Sequence, residues 1–232
     1  MCPSTTETLI DLGLENSIIG RTIFCIHPKE IVTHIETIGG TKNPKFDKIR
    51  SLKPTHIMFN LEENEFSHLD EIKSISKTIV TTPTDISSTI EMLSIFGDEF
   101  SIQSKTTQKC IEINQFLKTK KKYPSFSYLY FIWNDPKMVV GKNTYIDSML
   151  SEFGGINAAS SISEKRYITL EDEEISVDKV FLSSEPFPFK EKHKSSYYAY
   201  SNSVDLIDGE MLSWHGSRTI IGLNYLSRLL GD

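Results

Sequence analysis

Ser101-Ile-Gln-Ser-Lys-Thr-Thr-Gln-Lys-Cys110-Ile-Glu-Ile-Asn-Gln-Phe-Leu-Lys-Thr-Lys120-Lys-Lys122 is the stretch on which the reading of this chain turns. Apolar residues recur at Ile102, Cys110, Ile113, Phe116 and Leu117, and Gln, Lys, Thr and Glu fill the other faces, which is the spacing of one buried helical stripe. Neither Pro nor Gly occurs from Asp98 to Tyr123. At about 1.5 Å per residue such a helix spans roughly 30 Å, the diameter of a small domain. Lys118, Lys120, Lys121 and Lys122 stand where cations oppose the negative end of the helix dipole, and Pro124 stops the run. Taken alone, the stretch is either a spacer joining two domains or a surface helix on one.

The flanks favour the spacer. Ile35-Glu-Thr-Ile-Gly39-Gly40-Thr-Lys-Asn43 is followed by a helical stretch and then by the apolar run His56-Ile-Met-Phe-Asn60. On the other side Leu150-Ser-Glu-Phe-Gly154-Gly155-Ile-Asn157 is followed at similar distance by Lys179-Val-Phe-Leu-Ser183. In both, the expected order is a helix closed by a Gly pair in the left-handed conformation, then a buried strand. The shared order predicts two similar α/β lobes, residues 1–97 and 124–232, joined by a linking helix at 98–123.

With 232 residues, either lobe is long enough to bury a core. A hydrophobic content of 38% and a charged content of 24% belong to a globular protein, and no apolar run approaches the roughly 20 residues of a membrane span. A net charge of −6 argues against nucleic-acid binding, since the one basic cluster is a helix end. The three cysteines, Cys2, Cys25 and Cys110, show no CxxC spacing, so neither a disulfide framework nor a zinc site is indicated.

Taken in order, Ser4-Thr-Thr-Glu7 reads as a capping box opening a helix that ends near Gly13. Thr22 to Ile26 is a β-prone run, His27-Pro28 and Asn43-Pro44 open two further helices, and His56 to Phe59 is a buried strand. Glu62 to Glu65 forms an acidic loop, Thr78 to Thr82 a strand, and Asp85 caps a helix that Gly97 breaks. Past the spacer, Phe126 to Trp133 is a strand, Asn143 caps a helix to Leu150, and Val180 to Leu182 and Val204 to Ile207 are strands. Asp208 to Gly216 is expected as loop, and the last helix turns Ile220, Ile221, Leu223, Leu226, Leu229 and Leu230 inward. The alternation predicts parallel sheets with helices on their faces.

In open α/β sheets, ligands bind beyond the carboxyl ends of strands. The residues that follow the expected strands are Pro3, Ser4, Thr5, His27 and Asn60 in the first half, and Trp133, Asn134, Glu185, Phe187, Phe189, Trp214 and His215 in the second. These are the candidate ligand-binding residues. The two tryptophans with Phe187 and Phe189 suggest an aromatic-walled cleft. Catalytic signatures are missing: the chain has no GxSxG, Walker A, GxGxxG or HExxH sequence. The six histidines are scattered and offer no metal-ligand set.

Several segments together resemble the helical-backbone (class III) periplasmic binding proteins, in particular those similar to the cobalamin-binding protein of ABC importers. They are Pro3-Ser-Thr-Thr-Glu7, Gly39-Gly-Thr-Lys-Asn-Pro44, Leu52-Lys-Pro54, Trp133-Asn-Asp-Pro136, Gly141-Lys-Asn-Thr-Tyr-Ile146, Glu185-Pro-Phe-Pro-Phe189 and Asp208-Gly-Glu-Met-Leu-Ser-Trp214. The resemblance implies two Rossmann-like lobes joined by one backbone helix, with a metal-bearing ligand (cobalamin, haem or a ferric siderophore) held in the cleft they form. It implies no catalysis and no catalytic cofactor. It also implies an ABC permease as partner, docked by acidic residues, for which Glu62, Glu63 and Glu65 are the first-lobe candidates. The pattern's first strand is reduced to Met1-Cys2, which reads as a strand's tail. Cys2 is not a lipidation site unless an export signal precedes it.

The expected function is therefore the substrate-binding protein of an ABC-type importer, a monomer that neither spans a membrane nor binds nucleic acid, with a corrinoid as the leading ligand. It would be extracytoplasmic if the natural chain carries an upstream signal and cytoplasmic if the chain starts at Met1. The rivals are a small two-lobed enzyme such as a glycosyltransferase, against which the missing phosphate-binding glycines count, and a cytoplasmic cofactor carrier or sensor of the same fold.

Overall fold

The computed structural model describes residues 1–171 and 174–231. The chain divides into two compact units. The first comprises Met1–Pro83, Ser88–Cys110 and His215–Arg218; the second comprises Thr84–Ser87, Ile111–Trp214 and the chain from Thr219 onward.

The first unit contains α1 (Pro3–Asp11), α2 (Lys29–Val32), α3 (Phe46–Leu52), β1 (His56–Asn60), α4 (Leu69–Ile75) and β2 (Lys77–Thr81). Next come α5 (Ile86–Phe100) and α6 (Gln103–Thr119), which carry residues of both units. β1 and β2 pair in parallel from His56 opposite Lys77 to Asn60 opposite Thr81. Strand alternation sends Ile57 and Phe59 to one face, where Ile38, Ile49, Leu69 and Ile72 close over them. The other core gathers Leu9, Ile79, Met92 and Phe96.

The second unit contains β3 (Phe126–Asn134), β4 (Lys137–Val140), α7 (Tyr145–Ser151), β5 (Gly155–Asn157), β6 (Tyr167–Thr169), β7 (Lys179–Ser183), β8 (Val204–Ile207), α8 (Gly209–Ser213) and α9 (Thr219–Leu229). The strand order is β6-β4-β3-β7-β8, with β5 also on β3. Pairing is parallel for β3 with β5 and β7 and for β7 with β8, and antiparallel for β3 with β4 and β4 with β6. The sheet is therefore mixed, because Asn134 to Lys137 folds back as a hairpin. Tyr128, Leu129, Tyr130 and Phe131 are wholly buried, which is why this strand reads as continuous apolar sequence.

Several expectations are corrected. The linking helix expected at 98–123 is Gln103–Thr119; residues 98–100 complete α5, and Ser101, at φ +55°, separates the two helices. Gly97 lies inside α5 and does not break it. A Cβ there would come within 2.4 Å of Thr106 Oγ1 and 3.3 Å of Gln103 Cα, so glycine permits the close approach of α6. The Ser4 capping box does not form, since Cys2 is the N-cap and no side chain caps α1. Thr144, not Asn143, caps α7. The stretch from Asp208 forms α8, with the Asp208 side chain accepting from Glu210 N. Thr22 to Ile26 is no strand, the pairing there being a bridge of Arg21 with Thr37. Gly39 belongs to a bridge with Pro44 and closes no helix, and Ile221 is exposed. No helix of the described residues is long and apolar enough to cross a membrane.

Candidate functional site

In the first unit the site is built on the N-terminal turn of α1. Pro3 fits the first helical position, where a missing N–H costs nothing. Ser4 and Thr5 follow it, buried at 4% and 2% exposure. The segment His215–Arg218 packs on this helix. Gly216 has φ +88°, and a Cβ on it would fall 2.0 Å from Thr8 Oγ1, so only glycine lets the backbone lie this close. Ser217 N donates to Thr8 Oγ1 at 3.1 Å, and Ser217 Oγ donates to Asp11 Oδ2 at 2.6 Å. Arg218 grips Glu7 with two bonds, Nε to Oε2 at 2.8 Å and Nη2 to Oε1 at 2.7 Å.

These anchors carry the His215 imidazole to Ser4 and Asn60. Asn60 Oδ1 accepts from Glu62 N at 2.9 Å and Glu63 N at 3.0 Å, which fixes the orientation of its amide. Its Nδ2 therefore faces His215 Nε2, at 3.3 Å, as a donor. Nε2 must then be the unprotonated nitrogen, and the Ser4 hydroxyl, 3.0 Å away, donates to it as well. Burial pushes the pKa of His215 down to about 4, so the ring is neutral at neutral pH. With Nε2 shared by two donors and both side chains buried, the Ser4–His215 pair is a lock, not an activated nucleophile.

His27 is half-buried at the end of a loop in which Ile23, Phe24 and Ile26 are 53%, 52% and 49% exposed. Thr6 and Thr22 hydroxyls, each 3.2 Å from Cys25 Sγ, pin the loop from within. Sequence reasoning missed these three apolar residues because it took the run for a strand; their failure to alternate was the available signal. It also passed over Asn64, which is buried, accepts from Asn60 N at 3.0 Å and donates to the carbonyls of Met1 and Thr41. In the neighbouring acidic turn Glu65 lies 3.4 Å from Lys42 Nζ, which also donates to the Glu62 carbonyl at 3.3 Å.

In the second unit, Trp133 stands near the end of β3, 39% exposed, its Nε1 donating to Asp135 O at 3.0 Å. Phe187, in the loop after β7, meets it edge-on with ring centroids 5.8 Å apart. Phe189 lies deeper, packed on Phe187 and on Tyr197. Tyr197 donates to Asn134 Oδ1 at 2.9 Å, holding the end of β3. Glu185 Oε1 accepts from Ser213 Oγ at 2.6 Å, and burial raises its carboxyl above the usual carboxylate range against the pull of that bond. Trp214 is buried at 8% exposure. The structure thus brings Trp133 together with Phe187 at the surface of the second unit and, separately, Ser4, Asn60 and His215 together in the buried part of the first; Phe189 and Trp214 are buried in the second.

The chain is a two-unit α/β protein with a parallel-rich sheet in its second unit. Residues 2–181 match the family described as periplasmic binding protein, and the chain belongs to that family. It is 27% identical over 190 residues to the uncharacterized ABC transporter substrate-binding lipoprotein YvrC of Bacillus subtilis (strain 168), a match covering 75% of this chain and 58% of the relative. The chain thus spans about 58% of the length of that curated relative.

Among solved structures, the periplasmic vitamin B12 binding protein BtuF of Vibrio cholerae superposes with a TM-score of 0.81 at 15% identity, over 100% of this chain and 94% of that one. The periplasmic heme binding protein HutB of Vibrio cholerae gives 0.76 at 19% identity, over 99% and 96%. At these identities the likeness establishes the fold, in agreement with the class III expectation. The relatives are binding proteins and not enzymes, so the glycosyltransferase reading falls.

Proposed function

We propose that this chain is the solute-binding component of an ABC-type importer and that its solute is a flat, metal-bearing macrocycle, a corrinoid first. The observation that carries this reading is the pair Trp133 and Phe187, which offers a rigid apolar face at the surface of the second unit. Such a face binds a planar ring at little cost in side-chain entropy. Ile23, Phe24, Ile26 and His27 present a second apolar surface in the first unit. The vitamin B12 of BtuF and the heme of HutB are solutes of this class.

Glu62, Glu63 and Glu65 are the candidate contacts for a permease, and the protein acts as an extracytoplasmic monomer that hands over its ligand unchanged. Absorbance spectra of protein incubated with cobalamin, haem or a ferric siderophore and then desalted test the reading. A retained corrinoid band is expected. Retained haem or siderophore alone would reassign the solute, and retention of none would overturn the class.

A further inference from the structure

Among the large apolar side chains of the described residues, Phe66 is the most open to solvent, at 72% exposure. It stands in the first unit, directly after the acidic turn of Glu62, Glu63 and Glu65. Asp70, four residues further along the helical run that Phe66 opens, is exposed as well, so carboxylates stand on both sides of the ring in sequence. Lys42 pairs with Glu65 at 3.4 Å, and the surroundings of Phe66 remain acidic on balance.

The backbone that displays Phe66 is fastened on both sides. Ahead of it, Asn60 Oδ1 holds the amides of Glu62 and Glu63, and Asn64 N donates to Asn60 O at 2.8 Å. The buried Asn64 side chain accepts from Asn60 N and donates to Thr41 O, each at 3.0 Å. Behind it, His68 N donates to Glu65 O at 2.9 Å, and the His68 ring meets Phe46 edge-on with centroids 5.3 Å apart. Leu69 and Ile72 then anchor α4 in the core beside β1. A ring carried on so constrained a frame has little further freedom to lose when a partner covers it, which favours binding.

We propose that Phe66 is the apolar anchor of a protein-docking surface, and that its partner is a protein face with an apolar pocket edged by arginine or lysine. The inference rests on the importer reading, in which that partner is the permease. Charge selects a protein over the other occupants. An anionic bilayer repels the flanking carboxylates, and entry into a neutral one would strip water from Glu65 and Asp70. A second copy docked through the same turn would set like charges against one another. The two kinds of group then have separate tasks: the carboxylates speed encounter, and the buried ring holds the complex once formed.

The experiment measures binding of the full chain to the permease encoded beside its gene, held in lipid nanodiscs, with empty discs of the same lipid as control. Phe66→Ser should speed dissociation at least tenfold with little change in association, in low and high salt alike. Glu65→Gln should slow association instead, and only in low salt. Phe66→Leu should restore most of the residence time, while Tm and cobalamin affinity stay those of the unaltered chain in every variant. Dissociation unchanged by Phe66→Ser would overturn the proposal. So would a tenfold loss of cobalamin affinity, which would move Phe66 to the solute site, or Phe66-dependent binding to the empty discs, which would make it a membrane contact. Failure of the unaltered chain to bind the permease discs would overturn the importer reading itself, and this inference with it.

Discussion

Ser4 Oγ lies 3.0 Å from His215 Nε2, a hydrogen bond closed across 211 positions of the chain. Because Asn60 also donates to Nε2, the lock holds only while His215 is neutral. A proton on Nε2 would set it against the Asn60 Nδ2 donor and would put a charge in a buried site.

The first prediction follows from the sign of that pKa shift. The folded-state value is about 4, below the ordinary 6.5, so between those values the unfolded chain binds the proton and the folded chain does not. Stability from the neutral ring is complete above about pH 6.5 and is lost as pH falls toward 4, by about 3 kcal/mol in all. Urea denaturation at pH 7.0, 5.5 and 4.5 should show this loss, and His215→Gln should flatten it. An unchanged slope in the variant would place the sensitivity elsewhere.

The second concerns Glu7 and Arg218, whose side chains are 14% and 10% exposed and joined by two bonds. Glu7→Ala leaves a buried guanidinium without its carboxylate and should cost about 3 to 5 kcal/mol, whereas Glu7→Leu with Arg218→Met should recover much of the loss. Denaturation midpoints of the single and double variants measure this. Additive losses in the double variant would show that the two side chains act independently.

The third separates the tryptophans. Trp133→Ala should weaken solute binding by about 2 kcal/mol, as expected of a surface anchor, and change stability by about 0.5 kcal/mol or less. Trp214, buried at 8% exposure, should cost about 3 to 5 kcal/mol in stability on the same change. Ligand titration and thermal melts on each variant decide the matter, and equal stability losses would remove Trp133 from the site.

The fourth tests the acidic turn. Glu62, Glu63 and Glu65 share one turn, where Lys42 pairs with the Glu65 carboxylate and donates to the Glu62 carbonyl. Changing all three to Gln should leave solute affinity intact while slowing association with a permease, most strongly at low salt. A tenfold fall in solute affinity would show that these carboxylates serve the ligand.

What the sequence determined by itself was whatever local pattern and composition control. The β3 run from Phe126 and the alternation of helices with apolar strands were legible because strand burial acts over a few residues. What only the tertiary structure decided were the partners of polar side chains and the conformation where one element touches another. Ser4 and Glu7 have the spacing of a capping box, yet Ser4 serves His215 and Glu7 serves Arg218, since a buried imidazole and a buried guanidinium are costly without partners. Gly97 has the look of a helix stop, yet α5 runs through it because Thr106 of α6 occupies the space a side chain would need. Such choices are set by groups far apart in sequence, and no spacing within a helix or strand encodes them.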